Sequence, residues 1–235
     1  MSTRARAGRR DAAKRRGQLP LLPLVVVGIL LVGTIAILLT ALGDDDEGPA
    51  DPSVSQTRPV TVSGQTLPAF RGGLATPDDP ALGLVAPTLS GQDFEGDTVT
   101  IAPDGDAKVI LFVAHTCPHC QAEIPRLRTW LDDHALPSGV DLYLVSSNVQ
   151  PSGPNYPPSE WLARERMDGV PTIADDDSSS AITAYGISGF PYFVLLDGDG
   201  RVVSRMSGEL GESPEVFSGL FEALAAGGPI TDPRA

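Results

Sequence analysis

Cysteine is almost absent. Only Cys117 and Cys120 among 235 residues carry a thiol, which excludes a small fold stapled by several disulfides. No cysteine stands near residue 43, so a lipoprotein anchor there is excluded as well. Histidine is limited to His115, His119 and His134. His115 and His134 form no paired motif that would complete a zinc ribbon or finger with the two cysteines. Basic residues are scarce after residue 18, ten against 29 acids. A body that acidic repels phosphate backbones, so nucleic-acid binding is not expected. Charge is missing altogether between Gly17 and Gly43, and no internal repeat is visible. What is present suits a packed domain: 41% hydrophobic and 20% charged residues exclude wholesale disorder.

The uncharged stretch LPLLPLVVVGILLVGTIAILLTALG is nearly all aliphatic. About 20 apolar residues cross a bilayer core as a helix, and lipid leaves the backbone no hydrogen-bond partner but itself. Seven bases precede it within residues 1–18, and Asp44, Asp45, Asp46 and Glu47 follow it. The positive-inside rule then places the N-terminus in the cytoplasm and the rest of the chain outside. A cleaved signal peptide is the alternative, since Ala41-Leu42-Gly43 is a small-x-small site. Its apolar region would normally run only about 7–15 residues, however, and this one is longer.

The expected organisation is a basic cytoplasmic tail over 1–18, a transmembrane helix over 19–43, a linker over 44–80, a folded domain over 81–228 and a short tail over 229–235. The linker is rich in Pro, Gly, Ser and acidic residues and reads as a tether. Within it, Val60–Val62 and Gln65–Leu67 flank Ser63-Gly64 like a small hairpin that joins the domain edge.

The domain alternates strands and helices. Thr98–Ile101 alternates as a strand, and Val109–Ala114 is a continuous apolar run, as in a strand buried on both faces. Ile124, Leu127 and Leu131 then recur at helical spacing. Further strands are expected at Asp141–Val145, Tyr192–Leu196 and Val202–Met206, the last two joined by the turn Asp197-Gly198-Asp199-Gly200. Ser159 is placed to cap a helix through Met167, and helices are expected at Ser180–Tyr185 and Val216–Ala225. The class is α/β with a mixed central sheet flanked by helices. Asp175-Asp176-Asp177 lacks the spacing and glycine of an EF-hand loop, so a solvated acidic turn is expected. Trp130 and Trp161 read as helix packing.

Cys117-Pro118-His119-Cys120 lies between a buried strand and a helix, a spacing that lets both sulfurs close a small ring. The helix N-terminus offers unpaired N–H groups and partial positive charge, which stabilise a thiolate. Cys117 is expected to be the exposed nucleophile and Cys120 the deeper, resolving thiol. A protonated His119 would add a second stabilising charge, which disfavours the disulfide form and makes the pair oxidising. Half of a zinc site and a static disulfide remain as other readings of C-x-x-C.

With these residues in view, the chain resembles the thioredoxin superfamily, and within it the TlpA-like, membrane-anchored thiol–disulfide oxidoreductases. The resemblance covers residues 83–226 and is carried by APTLSGQDFEGDTVTI, KVILFVAHTCPHCQAEIP and YGISGFPYFVLLDGDGRVVSRMSGEL. It implies a thioredoxin-like fold in which Pro191 is a cis-proline facing the disulfide and Phe190 pairs its backbone with a substrate strand. Glu123 and Pro125 match the TlpA-like pattern C-x-x-C-x-x-E-x-P. The resemblance makes Glu123 an acid/base near Cys120, where a solvated helix carboxylate is the other reading. Leu111 stands where thioredoxins keep a buried acid, and Thr116 replaces the usual Trp before the first cysteine. C-P-H-C itself is the dipeptide of DsbA-like oxidases, but no long helical insertion interrupts the fold.

The function expected is exchange of disulfides with cysteine-containing proteins outside the membrane, with a membrane electron-transfer partner, the lipid bilayer through residues 19–43, and no metal or cofactor. A thiol peroxidase is the alternative within this fold, but no P-x-x-x-T/S-x-x-C spacing is present. A non-catalytic metal-chaperone or interaction module is opposed by the methionine-poor composition, with three Met in all.

Overall fold

The computed structural model describes residues 55–70, 77–228 and 230. The basic tail, the span expected at 19–43, most of the linker's first part and nearly all of the C-terminal tail lie outside the described residues. Among the described residues no helix is long and apolar enough to cross a membrane.

The central sheet has five strands: β4 (Ala107–Val113), β5 (Val140–Ser146), β6 (Thr172–Ala174), β7 (Tyr192–Leu196) and β8 (Val202–Ser207). Their order is β6-β5-β4-β7-β8, parallel for β6-β5-β4 and antiparallel for β4-β7-β8. β4 is central and buried along nearly its whole length, as its unbroken apolar run requires. Its side chains alternate between two cores. Val109, Leu111 and Val113 face the one built by α1 (Pro118–Asp133) and α4 (Val216–Ala225). Ile110 and Phe112 face the one shared with α3 (Ser180–Tyr185). Trp130 stacks on Phe221 at 4.8 Å in the first core, and Trp161 is fully buried there on α2 (Pro158–Arg164). Both tryptophans are packing residues, as expected.

A second, antiparallel sheet runs β1-β2-β3 over Thr61–Ser63, Thr88–Gln92 and Thr98–Ile101. The expected hairpin at 60–67 does not form. Thr61 pairs with Ser90 instead, and the Leu67 N–H donates to Ala184 O at 2.8 Å. The domain therefore does not begin at residue 81. Residues 55–70 are folded onto it: Arg58 N–H donates to Ala174 O, and Gln56 Oε1 receives the Ser159 N–H at 3.0 Å. Asp79, also assigned to the linker, is buried in an ion pair with Arg205. For residues 55–70 and Asp79 the tether reading failed because polar groups pair with donors and acceptors already inside the fold, which composition does not reveal.

Two smaller expectations also change. Ser159 does not cap α2; Pro157 does, without a side-chain bond, and the helix stops at Arg164 before Arg166 turns left-handed (φ 57°). Asp175 is not solvated. It is buried, and its Oδ1 accepts the N–H groups of Asp176 and Ala181, tying down the start of α3.

Candidate active site

β4 delivers the chain to one end of the central sheet, and Ala114–Thr116 turns it into α1, with the Cys117 N–H donating to Ala114 O at 3.0 Å. Cys117 is the N-cap in extended conformation, and Pro118 occupies the first turn, where a missing N–H costs nothing. No side chain caps this end. The Cys117 sulfur thus sits where a helix favours negative charge.

Cys120 lies one turn on. Both cysteines are free thiols, Cys117 half-buried and Cys120 buried. Burial pushes the Cys120 thiol far above its ordinary range, opposed by a backbone hydrogen bond from Ala114 and reinforced by Cys117 and Glu123. The two sulfurs are thus unequal: Cys117 is the more accessible, and Cys120 is held as the neutral thiol by its burial.

The resemblance implies Phe190 and Pro191 opposite this pair, and the fold sets the Phe190 carbonyl beside Cys117. Cys117 Sγ donates to the Phe190 carbonyl at 3.4 Å, and the Phe190–Pro191 bond is cis. The loop is held from behind by the Gly208 N–H, which donates to Pro191 O at 2.8 Å.

Glu123 is fully buried, so the solvated reading falls. Its Oε1 accepts the Leu210 N–H at 3.0 Å, and Arg126 donates to its Oε2 at 3.3 Å. Burial pushes its carboxyl up to about 7, against the opposing hydrogen bond from Leu210 and the Arg126 charge. Leu111 of β4 is buried and apolar, and the buried acid nearest the cysteines in sequence is Glu123 on α1. Because the folded group holds its proton above the unfolded range, it costs stability as pH rises from about 4.5 to about 7. Through that window wild type should lose up to about 1.4 kcal/mol per pH unit relative to Glu123→Gln. Denaturant unfolding of both proteins across pH 4–8 checks it, parallel curves being the contrary result.

His119 behaves differently from the expectation. It is exposed, and its Nδ1 donates to Glu209 Oε1 at 2.6 Å. Arg126 also donates to Glu209. Arg126 first, and His119 with it, hold the Glu209 carboxyl below the usual range. A positive charge on His119 is therefore offset locally by an ionised partner rather than acting on Cys117 alone.

Sequence reasoning missed Arg126, Glu209 and the role of His115. His115 is buried, donates through Nδ1 to Pro154 O at 2.7 Å and accepts the Gln150 N–H at Nε2 (3.0 Å). These two bonds pin the 150–154 loop beside the active-site turn. Glu209 stands in the Ser-Gly-Glu-Leu that closes the resemblance, but nothing in its spacing connects it to Cys117 or His119.

One further group of acids, Asp104, Asp106 and Asp141, converges at the other end of β4. There the buried Lys108 ammonium bonds Asp104 and the Asp106 carbonyl and supplies the counter-charge.

A reactive C-x-x-C at a helix N-terminus, opposed by a cis-proline on this strand order, defines a thiol–disulfide oxidoreductase of the thioredoxin superfamily. The family described as "Thioredoxin-like domain" matches residues 94–225, more than half of the chain, and the chain belongs to it. It is 27% identical over 159 residues to the methylamine utilization protein MauD of Methylobacillus flagellatus, spanning 66% of this chain and 70% of that protein. Among solved structures it superposes on a hypothetical protein from Sinorhizobium meliloti with TM-score 0.56 at 21% identity, covering 68% of this chain and 91% of the other. A conserved protein from Geobacillus kaustophilus gives TM-score 0.54, also at 21% identity, covering 74% and 90%. These two likenesses establish the fold.

Proposed function

We propose that the protein is a membrane-anchored oxidoreductase that exchanges disulfides with cysteine-containing proteins outside the cytoplasm. The observation that carries the chemistry is the half-buried Cys117 thiol, 3.4 Å from the carbonyl before cis Pro191, with buried Cys120 one turn behind. Cys117 exchanges with the client, Cys120 resolves, and Pro118 and His119 shape the turn between them. Glu123 takes and returns the Cys120 proton. Phe190 and Pro191 present backbone to the client strand.

The location rests on sequence: an uncharged aliphatic run at 19–43 with bases before it and acids after it. A pair held outside also needs a source or sink of electrons, so a membrane electron-transfer partner completes the cycle. The acidic body gives nucleic acid no purchase.

In spheroplasts reduced beforehand, a membrane-impermeant maleimide should label Cys117 without lysis, and the intact protein should sediment with membranes. Labelling only after lysis would refute the extracytoplasmic location. Recovery of the intact chain in the soluble fraction would refute the anchor.

A further inference from the structure

Beside the two cysteines lies a chain of charged side chains, of which the exchange reading leaves Arg126 and Glu209 without a part. His119 Nδ1 donates to Glu209 Oε1 at 2.6 Å. Glu209 also receives Arg126, which reaches on to Glu123 Oε2 at 3.3 Å. Arg126 therefore donates to both carboxylates from the same nitrogen, Nη1. Glu209 lies on the loop after β8, whereas His119, Arg126 and Glu123 all belong to α1. One carboxylate from outside the helix therefore joins the exposed and the buried ends of the site.

We propose that Glu209 is a positioning residue for the redox step: by competing for Arg126 it keeps the guanidinium from closing fully on Glu123, leaving that carboxylate basic enough to deprotonate Cys120. This rests on the exchange reading above and adds to it the residue that sets the strength of its base.

The step balances as follows. The Cys117 sulfur has attacked a client disulfide, forming the Cys117–client bond and releasing the first client thiol. Cys120 then gives its proton to Glu123, and its sulfur attacks Cys117 Sγ. The Cys117–Cys120 bond forms, the Cys117–client bond breaks, and the second client sulfur leaves as a thiolate that takes the proton back from Glu123. Two electrons pass from the protein dithiol to the client. Run backwards, the same atoms oxidise a client dithiol.

Glu123 is the group to watch. The groups that act on it are Cys120 and Arg126 from its own helix, the Leu210 N–H, and Glu209 from the opposing loop, which His119 also contacts. Arg126 favours the ionised carboxylate and Glu209 opposes it. Removing one or the other must therefore move Glu123 in opposite directions, which a merely structural role would not do.

The test follows the Glu123 side-chain carboxyl by carbon NMR through a pH titration of the reduced full-length protein in detergent. Glu209→Gln should lower the midpoint by about one pH unit and Arg126→Gln should raise it by a similar amount, the order of shift a neighbouring charge produces. The same proteins are mixed in stopped flow with the aromatic disulfide dithionitrobenzoate. One chromophoric thiolate is released on capture by Cys117 and a second when Cys120 resolves, and the acid limb of the second release should follow the NMR midpoints. Unmoved midpoints, shifts of the same sign, or a limb that ignores them would overturn the proposal. A wild-type protein that never releases the second thiolate would instead overturn the exchange reading itself.

Discussion

Cys117→Ser should abolish disulfide exchange, and Cys120→Ser should halt the same reaction one step later with the client still attached. Both effects follow from the unequal burial of the two sulfurs. Cys117 is half-buried at the helix N-terminus, whereas Cys120 is buried with its thiol pushed far up. The thiolate is the nucleophile in exchange, so a serine at 117 leaves nothing accessible to attack. A serine at 120 leaves the attacking sulfur intact but removes the group that releases the client. Mixed disulfides should therefore accumulate on the Cys120→Ser protein, visible on non-reducing gels and lost on reduction, and be absent from Cys117→Ser. Conjugates trapped through Cys120 in the Cys117→Ser protein would reverse the assignment.

The second large effect comes from a buried ion pair outside the Cys117–Cys120 motif. Arg205 on β8 is buried, its Nε 2.8 Å from Asp79 Oδ2, its Nη2 2.5 Å from Asp79 Oδ1, and its Nη1 3.0 Å from the Tyr185 carbonyl. The guanidinium also lies 5.5 Å from the centre of the Phe70 ring. Asp79→Ala would strand a buried charge, and breaking such a pair typically costs about 3–5 kcal/mol. The double variant Asp79→Ala, Arg205→Met should recover most of that loss, because an apolar replacement of similar volume removes the stranded charge along with its partner. Denaturant unfolding of the three proteins measures it. A loss below about 1 kcal/mol in Asp79→Ala, the size of an exposed pair, would mean that residues 77–81 are a tether after all.

That ion pair also marks where the sequence stops being readable. β4, β7, α3 and α4 announce themselves, because an apolar run or a helical period is a local signal; α3 and α4 start and end at the expected residues. β6 is three residues long and β2 has the polar sequence Thr-Leu-Ser-Gly-Gln. Neither carries a period, and both exist because neighbouring strands supply hydrogen bonds. Residues 55–70 and Asp79 look like linker for the same reason. Their value lies in partners more than a hundred residues away, such as Ser159 for Gln56 and Arg205 for Asp79.

The site divides along the same line. Cys117, Pro118 and Cys120 are legible as a motif, and Phe190 and Pro191 through the second motif of the resemblance. Glu123 is legible as a position, but its full burial depends on the Leu210 loop closing over it. His119 is legible as a residue between two cysteines, yet its direction is not: the imidazole turns outward to Glu209, 90 positions along the chain. That contact sets a carboxylate beside the imidazole, a neighbour that Cys-Pro-His-Cys by itself does not reveal.

A glutathione redox titration of the protein, with each state read by mass and by thiol alkylation, puts the dithiol chemistry to the most direct test. Cys117 and Cys120 should interconvert as a unit between dithiol and intramolecular disulfide, with a midpoint inside the range of about −270 to about −120 mV spanned by this superfamily. Glutathione adducts on Cys117 that never close onto Cys120, or two cysteines that titrate independently, would contradict it.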